Sequence, residues 1–350
     1  MALSVSETFK VTLSAAEQLL VEMINRARLN PLAEAARFGI DLNEELQPGT
    51  LDGSPRQVLS PNQSLSVAAE GHGQWMVRAN TFSHVGEHGS GPADRMREAG
   101  YQFTGSSASG ENITYRGSTD TVNLDILMKE EHHRDLFLSS AHRVNMLQDF
   151  FREIGVSQES GRFTSDDNTF NVSMVTENFA LNGSGVFVTG VVYSDRDNDS
   201  FYSIGEGRAG IPVQASGITV QTEAAGGYGI RVAASANVAV TLGGISLQLD
   251  LSDGNGKLDL VGRDVLTSVD TVLTGSAGSL TALGAGNINL TGYTGADVLV
   301  GNAGNNVFDG AAGMDTVRYD LTRAQATLTQ AADGAIMVSS AQGNDTLRNI

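Results

Sequence analysis

Two stretches of the chain space oxygen-bearing residues in ways that suit a hard cation. In the first, Asp195, Asp197, Asp199 and Glu206 stand at positions 1, 3, 5 and 12 of a twelve-residue run, with the Phe201 carbonyl at position 7 and Ser203 at position 9. Alternate acids closed by a late glutamate form a calcium-ligand set, and three close carboxylates repel one another unless a cation lies among them. Position 6 is Ser200 rather than the usual glycine, and the flanks, Gly190-Val-Val-Tyr and Ala209-Gly-Ile-Pro-Val, read as strands. The loop is therefore not expected between two helices. In the second stretch, nine-residue units start at Gly292, Gly301 and Gly310. Each has Gly at its first and fourth positions, an oxygen ligand at its sixth (Asp297, Asn306, Asp315) and an apolar residue at its eighth (Leu299, Phe308, Val317). Glycine permits the positive φ of a tight turn, the sixth residue offers a hard oxygen, and the eighth fills the inside of a coil.

A third constellation is built on nitrogen. All six histidines lie between His72 and His142, and none follows in the last 208 residues. Histidine supplies metal ligands and general bases near neutral pH, so the clustering points to one polar site. His132 and His133 are adjacent, so on a helix they diverge by about 100° and do not share a site. His84 and His88 are four apart, but Val85-Gly-Glu-His-Gly-Ser-Gly reads as loop. No Gly-x-Ser-x-Gly or His-Glu-x-x-His motif is present, and with no cysteine there is no thiol chemistry and no disulfide framework.

Several elements must position these groups. Ser14-Ala-Ala-Glu17 fits a capping box ahead of Leu19, Leu20, Met23, Ile24 and Ala27 at helical spacing, with Pro31 closing that helix. Helices are expected at 63–80, where His72 falls in the apolar stripe, over Pro92 to Ala99, and over 120–138. From Ile154 the pattern turns to strands, and Asn182-Gly-Ser-Gly185 reads as a linker. Beyond it, short strands are expected at Val186–Val192, Ile211–Val213, Ile218–Thr222, Tyr228–Val232 and Val238–Leu242. Asp253 to Asp259 reads as a turn whose carboxylates could bind calcium, with a solvated loop the favoured reading.

The chain has 350 residues and a formal net charge of −18. That length suggests two or three domains, and that charge disfavours nucleic acid and anionic lipid while favouring divalent cations. Residues 1–8 carry neither a basic stretch nor an apolar core, so no cleaved signal peptide is expected; no apolar run is long enough to span a membrane.

The motifs resemble three families. The nonapeptides resemble RTX repeats, a calcium-binding parallel β-roll in which alternate turns stack, so that Asp297 and Asp315 fall on one side. This resemblance implies export without a cleaved signal, through the type I secretion machinery; Gly343-Asn-Asp-Thr-Leu-Arg-Asn-Ile350 is a phrase that continues into further repeats in such relatives, so the roll is expected to be truncated. The acidic loop with its flanking strands resembles the B-type β-sandwich repeats of bacterial surface adhesins. Phe82-Ser-His84, Gly110-Glu-Asn-Ile113, Ser140-Ala-His142-Arg-Val-Asn145-Met-Leu147 and Arg152-Glu-Ile-Gly-Val156, with Asp94 to Tyr101, resemble the bacterial branch of the CAP superfamily (cysteine-rich secretory proteins, antigen 5, pathogenesis-related 1).

The CAP resemblance implies an αβα sandwich with a cleft tetrad: His84, Glu111, His142 and a second acid at Glu130 or Glu131. His84 and His142 would suit a transition metal such as zinc. The expected architecture is a multidomain α+β chain: a CAP-like αβα sandwich at 12–182, a calcium-binding β-sandwich at 186–242, a β-rich connector at 243–291 and an RTX-like β-roll at 292–350. Three functions fit it. One is a secreted calcium-binding protein whose cleft binds a lipid, peptide or surface component. The second is a metal-dependent hydrolase, and the third an adhesin with an inert cleft.

Overall fold

The computed structural model describes residues 13–121, 123–165 and 167–350. The expected boundary at residue 12 and the reading of residues 1–8 lie outside them.

Helix α1 (Ala15–Leu29) starts as its sequence dictates: Ser14 Oγ accepts from the Glu17 N–H, and Glu17 answers by accepting from the Ser14 N–H. It ends one residue earlier than the proline would force. Asn30 caps it and also caps the next helix, α2 (Pro31–Arg37), so Pro31 opens a helix instead of closing one. A proline at the first helical position loses no hydrogen bond. Helix α3 (Gln63–Ala79) is stopped by Asn80 in the left-handed conformation, φ 53°. After α4 (Pro92–Glu98) come α5 (Leu124–Leu127), a π-helical turn over Met128–His132, α6 (His133–Leu138) and α7 (Ser140–Met146).

These helices lie on both faces of a sheet ordered β1-β3-β4-β2, formed by β1 (Ser60–Pro61), β2 (Ser107–Ser118), β3 (Glu153–Ser165) and β4 (Asn168–Asn182). On one face α3 lies close to β3 because Gly155 has no side chain; a Cβ there would fall 2.1 Å from the Leu65 carbonyl carbon. On the other, Ile154, Val156 and Phe179 pack with Leu20 and Ile24 of α1, Phe137 of α6 and Met146 of α7. Strand β2 is one edge of the sheet, and this decides where the histidine site sits.

The second half is built of strands, with one short 3-10 turn at Arg323–Gln325. In order come β5 (Val186–Tyr193), β6 (Pro212–Ala215), β7 (Ile218–Gln221), β8 (Gly227–Val232), β9 (Val238–Leu242), β10 (Ile245–Leu249), β11 (Gly256–Val261), β12 (Asp264–Thr267), β13 (Thr271–Leu273), β14 (Leu280–Ala282), β15 (Asn289–Thr291), β16 (Val298–Val300), β17 (Val307–Asp309), β18 (Thr316–Arg318), β19 (Ala326–Gln330), β20 (Ile336–Ser340) and β21 (Gly343–Arg348). Among the described residues they form two sheets, ordered β18-β16-β14-β12-β11-β5-β8 and β19-β20-β21-β17-β15-β13-β10-β9-β6-β7. Both sheets run from the region expected to be a sandwich into the nonapeptides. One apolar cluster follows them, from Val186 and Val213 through Leu249 and Leu290 to Phe308 and Leu347.

From β13 to β18 successive strands alternate between the sheets, and neighbours within each sheet pair in parallel; β19, β20 and β21 then lie side by side in one sheet as antiparallel pairs. Leu290 pairs with Phe308, and Leu299 with Val317, each partner 18 residues on. Two nine-residue units therefore make one full step, which brings the apolar eighth residues inward. Strand β5 is buried at every position, because the helical half covers its outer face: Val191, Tyr193 and Tyr202 belong to the same apolar cluster as Leu20 and Ile24. No helix among the described residues is long and apolar enough to cross a membrane.

Candidate functional site

The site is built around Glu111, on edge strand β2. Its side chain is only 1% exposed, yet it carries an acid, so partners must hold it. Arg95 of α4 donates from Nη2 to Glu111 Oε2 at 2.6 Å, and His84 Nδ1 donates to Oε1 at 2.8 Å. Arg95 also donates from Nη1 to the carbonyls of Ser90 and His84, at 2.8 and 3.2 Å, tying the 81–91 loop to the same guanidinium. His84 itself is about half exposed. With Nδ1 on the carboxylate, its Nε2 is the nitrogen left to take a proton, a metal or a ligand hydrogen bond.

His72 lies beneath. Its Nε2 is 3.9 Å from Glu111 Oε1 and 2.9 Å from the Ser83 carbonyl, while its ring stacks on Trp75. A carbonyl only accepts, so Nε2 carries the proton. Burial, partly offset by Glu111, pushes its pKa below the usual histidine value, so it stays neutral.

The adjacent residue, Asn112, points to the other face of the sheet. It donates to the His142 carbonyl at 3.3 Å and to Glu177 Oε2 at 3.0 Å, and accepts from Asn145 Nδ2 at 2.9 Å. Gly110 makes room for this: a Cβ there would meet Asn145 Oδ1 at 2.4 Å. One strand thus holds the acid of the site with one residue and docks the helix bearing His142 with the next. His142 is half-buried and close enough to His84 to feel its charge; burial first, and then that charge, lower its pKa.

The other expected residues divide clearly. Glu131 pairs with Arg134 at 2.6 Å and Arg116 at 3.3 Å. Glu130 faces a cavity next to Arg37 and Asp199. Neither is bonded to His84 or His142. His132 is bonded to Ser173 and His133 to Glu34, both buried as structural groups in the helical layer. Arg143 is buried against backbone carbonyls, among them those of Leu42 and Phe137. His72, which the helical stripe suggested was a core position, is the member of the site that spacing missed. The signal was a histidine about two turns before the end of the helix that leads into the loop bearing His84.

Among the described residues, Asp195, Asp197 and Asp199 are the one group of three or more His, Asp or Glu whose ligand atoms all lie within 4.8 Å of one another. Glu206 stands outside it and closes the loop instead, accepting from the Arg196 N–H at 2.5 Å and the Ser203 N–H at 2.9 Å. Phe201, two residues after Asp199, is stacked under Arg26. In the nonapeptides, the Asp297 N–H donates to Asp315 Oδ1 at 2.9 Å, so these two acids stack one step apart. Asn306 lies in the other column, where its N–H donates to Asp345 at 2.7 Å. Asp345 was not singled out by spacing, because the hairpin of β19 and β20 interrupts the nine-residue count before it. Asp315 Oδ2 is buried with no hydrogen-bond partner.

Residues 21–175 match the family model described as CAP: Cysteine-rich secretory protein family. Among solved structures, the chain is similar to an extracellular protein containing an SCP domain from Bacillus anthracis str. Ames, at 23% identity and a TM-score of 0.27, over 36% of this chain and 35% of that one. It thus spans about a third of that protein. An outer surface protein from Borrelia burgdorferi is similar at 13% identity and a TM-score of 0.31, over 50% of this chain and 98% of that one. No curated protein matches the chain. Residues 21–175, which hold His84, Glu111 and His142, form a CAP domain.

Proposed function

We propose that the chain is a secreted, calcium-binding protein whose CAP cleft binds an extracellular ligand: a lipid, a peptide or a surface component. The observation that supports it best is the half-exposed His84 held over a buried Glu111–Arg95 pair. Both oxygens of Glu111 are committed to positioning, and the sequence holds no Gly-x-Ser-x-Gly motif and no cysteine. Such a cluster presents a hydrogen-bonding imidazole at fixed geometry, as a binding site needs.

Calcium would be held by Asp195, Asp197 and Asp199, with the Phe201 carbonyl and Glu206 completing the loop, and by the acids of the nonapeptides. The carboxylate grouping and the unpartnered Asp315 Oδ2 are consistent with oxygen sites for a hard cation. The stacked 18-residue step supports a β-roll of RTX type, and with it export by the type I route. Calcium is scarce in the bacterial cytosol and abundant outside, so the roll would fold after export.

A metal-dependent hydrolase is the second reading. It is favoured by one feature: Glu111 orients His84 so that Nε2 faces outward, as a general base or metal ligand requires. A panel of ester and peptide substrates assayed with wild type and His84→Ala separates the two. The binding reading expects no turnover above background in either protein; turnover lost in the variant would establish the hydrolase. In the third reading, an adhesin, deletion of residues 1–182 would leave surface attachment intact.

A further inference from the structure

The junction of the two halves holds a cavity unrelated to the CAP cleft. It has a volume of about 300 Å³, at the small end for ligand pockets, and lies between α1, α2, β5 and β11. Its floor is charged and buried. Lys257 Nζ donates to Glu22 Oε2 and to Asp259 Oδ1, both at 2.6 Å, and none of the three side chains is more than 6% exposed. Gln18 donates to the second Glu22 oxygen at 2.7 Å, and the Val191 N–H donates to Asp259 Oδ1 at 2.8 Å. One ammonium against two carboxylates leaves a net negative charge where little water can screen it.

The walls are aromatic. Tyr193 and Tyr202 meet edge to face at 5.9 Å, and Phe201 stands beside them. Tyr202 is only 1% exposed, and its hydroxyl is buried without a hydrogen-bond partner. Arg26 does not supply the missing positive charge. It covers Phe201 at 4.7 Å and is bonded through two nitrogens to Glu34, at 2.9 and 2.7 Å. At the mouth, Ala33 and Ser200 are exposed, so the cavity opens to solvent.

We propose that this cavity binds a small alkylammonium ion, its charge facing the Glu22–Lys257–Asp259 floor and its methyl or methylene groups against Tyr193, Phe201 and Tyr202. Aromatic walls and a net negative floor together select organic cations. An anion would face the uncompensated carboxylate. A metal ion would have to displace Lys257 from between its two partners. A purely apolar molecule would leave the charge unanswered.

The test is calorimetric titration of the full chain, in calcium-containing buffer, with choline and with its neutral isostere 3,3-dimethyl-1-butanol. We expect choline to saturate at one per chain, and the isostere to bind about tenfold more weakly or less, the size of one desolvated cation–π contact. Asp259→Asn should remove the choline preference and leave isostere binding unchanged. Because Asp259 is buried, Ala33→Trp serves as a second variant: it fills the exposed mouth without entering the core and should abolish choline binding, with an unchanged circular dichroism spectrum. Equal binding of the two compounds, no saturable choline binding, or full choline binding by folded Ala33→Trp would overturn the proposal.

Discussion

At the scale of single residues, the CAP half is governed by where buried acids put their charge. Glu111 is bonded through one oxygen to Arg95 and through the other to His84; Glu177, on the neighbouring strand β4, has no such pair of partners. It is fully buried with one oxygen on Asn112 and the other unpartnered, and burial pushes its carboxyl up to about 8. Between about 4.5 and 8 the folded chain therefore holds a proton that the unfolded chain has lost. Stability must fall as pH rises through that window, and level off above it. Glu177→Gln should remove this component, so that urea midpoints of wild type and variant diverge steadily from pH 5 to pH 8; parallel profiles would contradict the assignment. Glu111→Gln should have a different effect, because it leaves the buried Arg95 guanidinium without its carboxylate. We expect a loss of about 3 kcal/mol in urea unfolding, the usual cost of breaking a buried ion pair from one side. His84 and Glu111 were legible in the sequence because they stand in short motifs. His72 was not, since its role depends on the Ser83 carbonyl and Glu111, which reach it only in the folded chain.

At the scale of elements, local chemistry was readable wherever both halves of an interaction lie within a few residues. The Ser14–Glu17 capping box marks the start of α1, and Ser14→Ala should cost about 1 kcal/mol in thermal or urea unfolding. An unchanged midpoint would mean that tertiary packing alone fixes that end. The strand expected at Val238–Leu242 coincides with β9, because its alternation of buried and exposed residues is strict. Helix α2 was missed because a proline serves equally well as a stop or as a first residue, and Asn30 decides between them. The segment from Asp253 to Asp259 was misread as a solvated turn for a similar reason. In the structure its second half is β11, with Lys257 and Asp259 buried, and what makes their burial possible is Glu22, more than 200 residues earlier. Neither charge could be placed inside without knowing that helix α1 supplies the third member. The edge strand β2 likewise carries few apolar residues; Gly110 and Asn112 serve packing and docking there, and no alternation announces them.

At the scale of the whole molecule, the two halves are joined by more than the Gly183–Gly185 turn. The core of the helical half extends into Val191, Tyr193 and Tyr202, and the Lys257 triad crosses the same junction. The nonapeptide period was visible in the sequence. Its continuity with the preceding strands was not, because sheet order depends on pairings such as Leu247 with Leu273 that no local pattern records. If calcium stabilises the stacked turns, its removal by a chelator should lower the melting temperature of the strand-rich half and reduce its strand signal in circular dichroism. A spectrum and melting temperature indifferent to calcium would sink that part of the reading. The central claim is that the CAP cleft works by hydrogen bonding while calcium serves the other half. Metal analysis of the purified chain beside a His84→Ala, His142→Ala double variant, both in calcium-containing buffer, tests it most directly. The account predicts calcium in both proteins alike and no transition metal near one per chain. A transition metal present at one per chain in the wild type and lost from the variant would contradict it and make the cleft a metal centre.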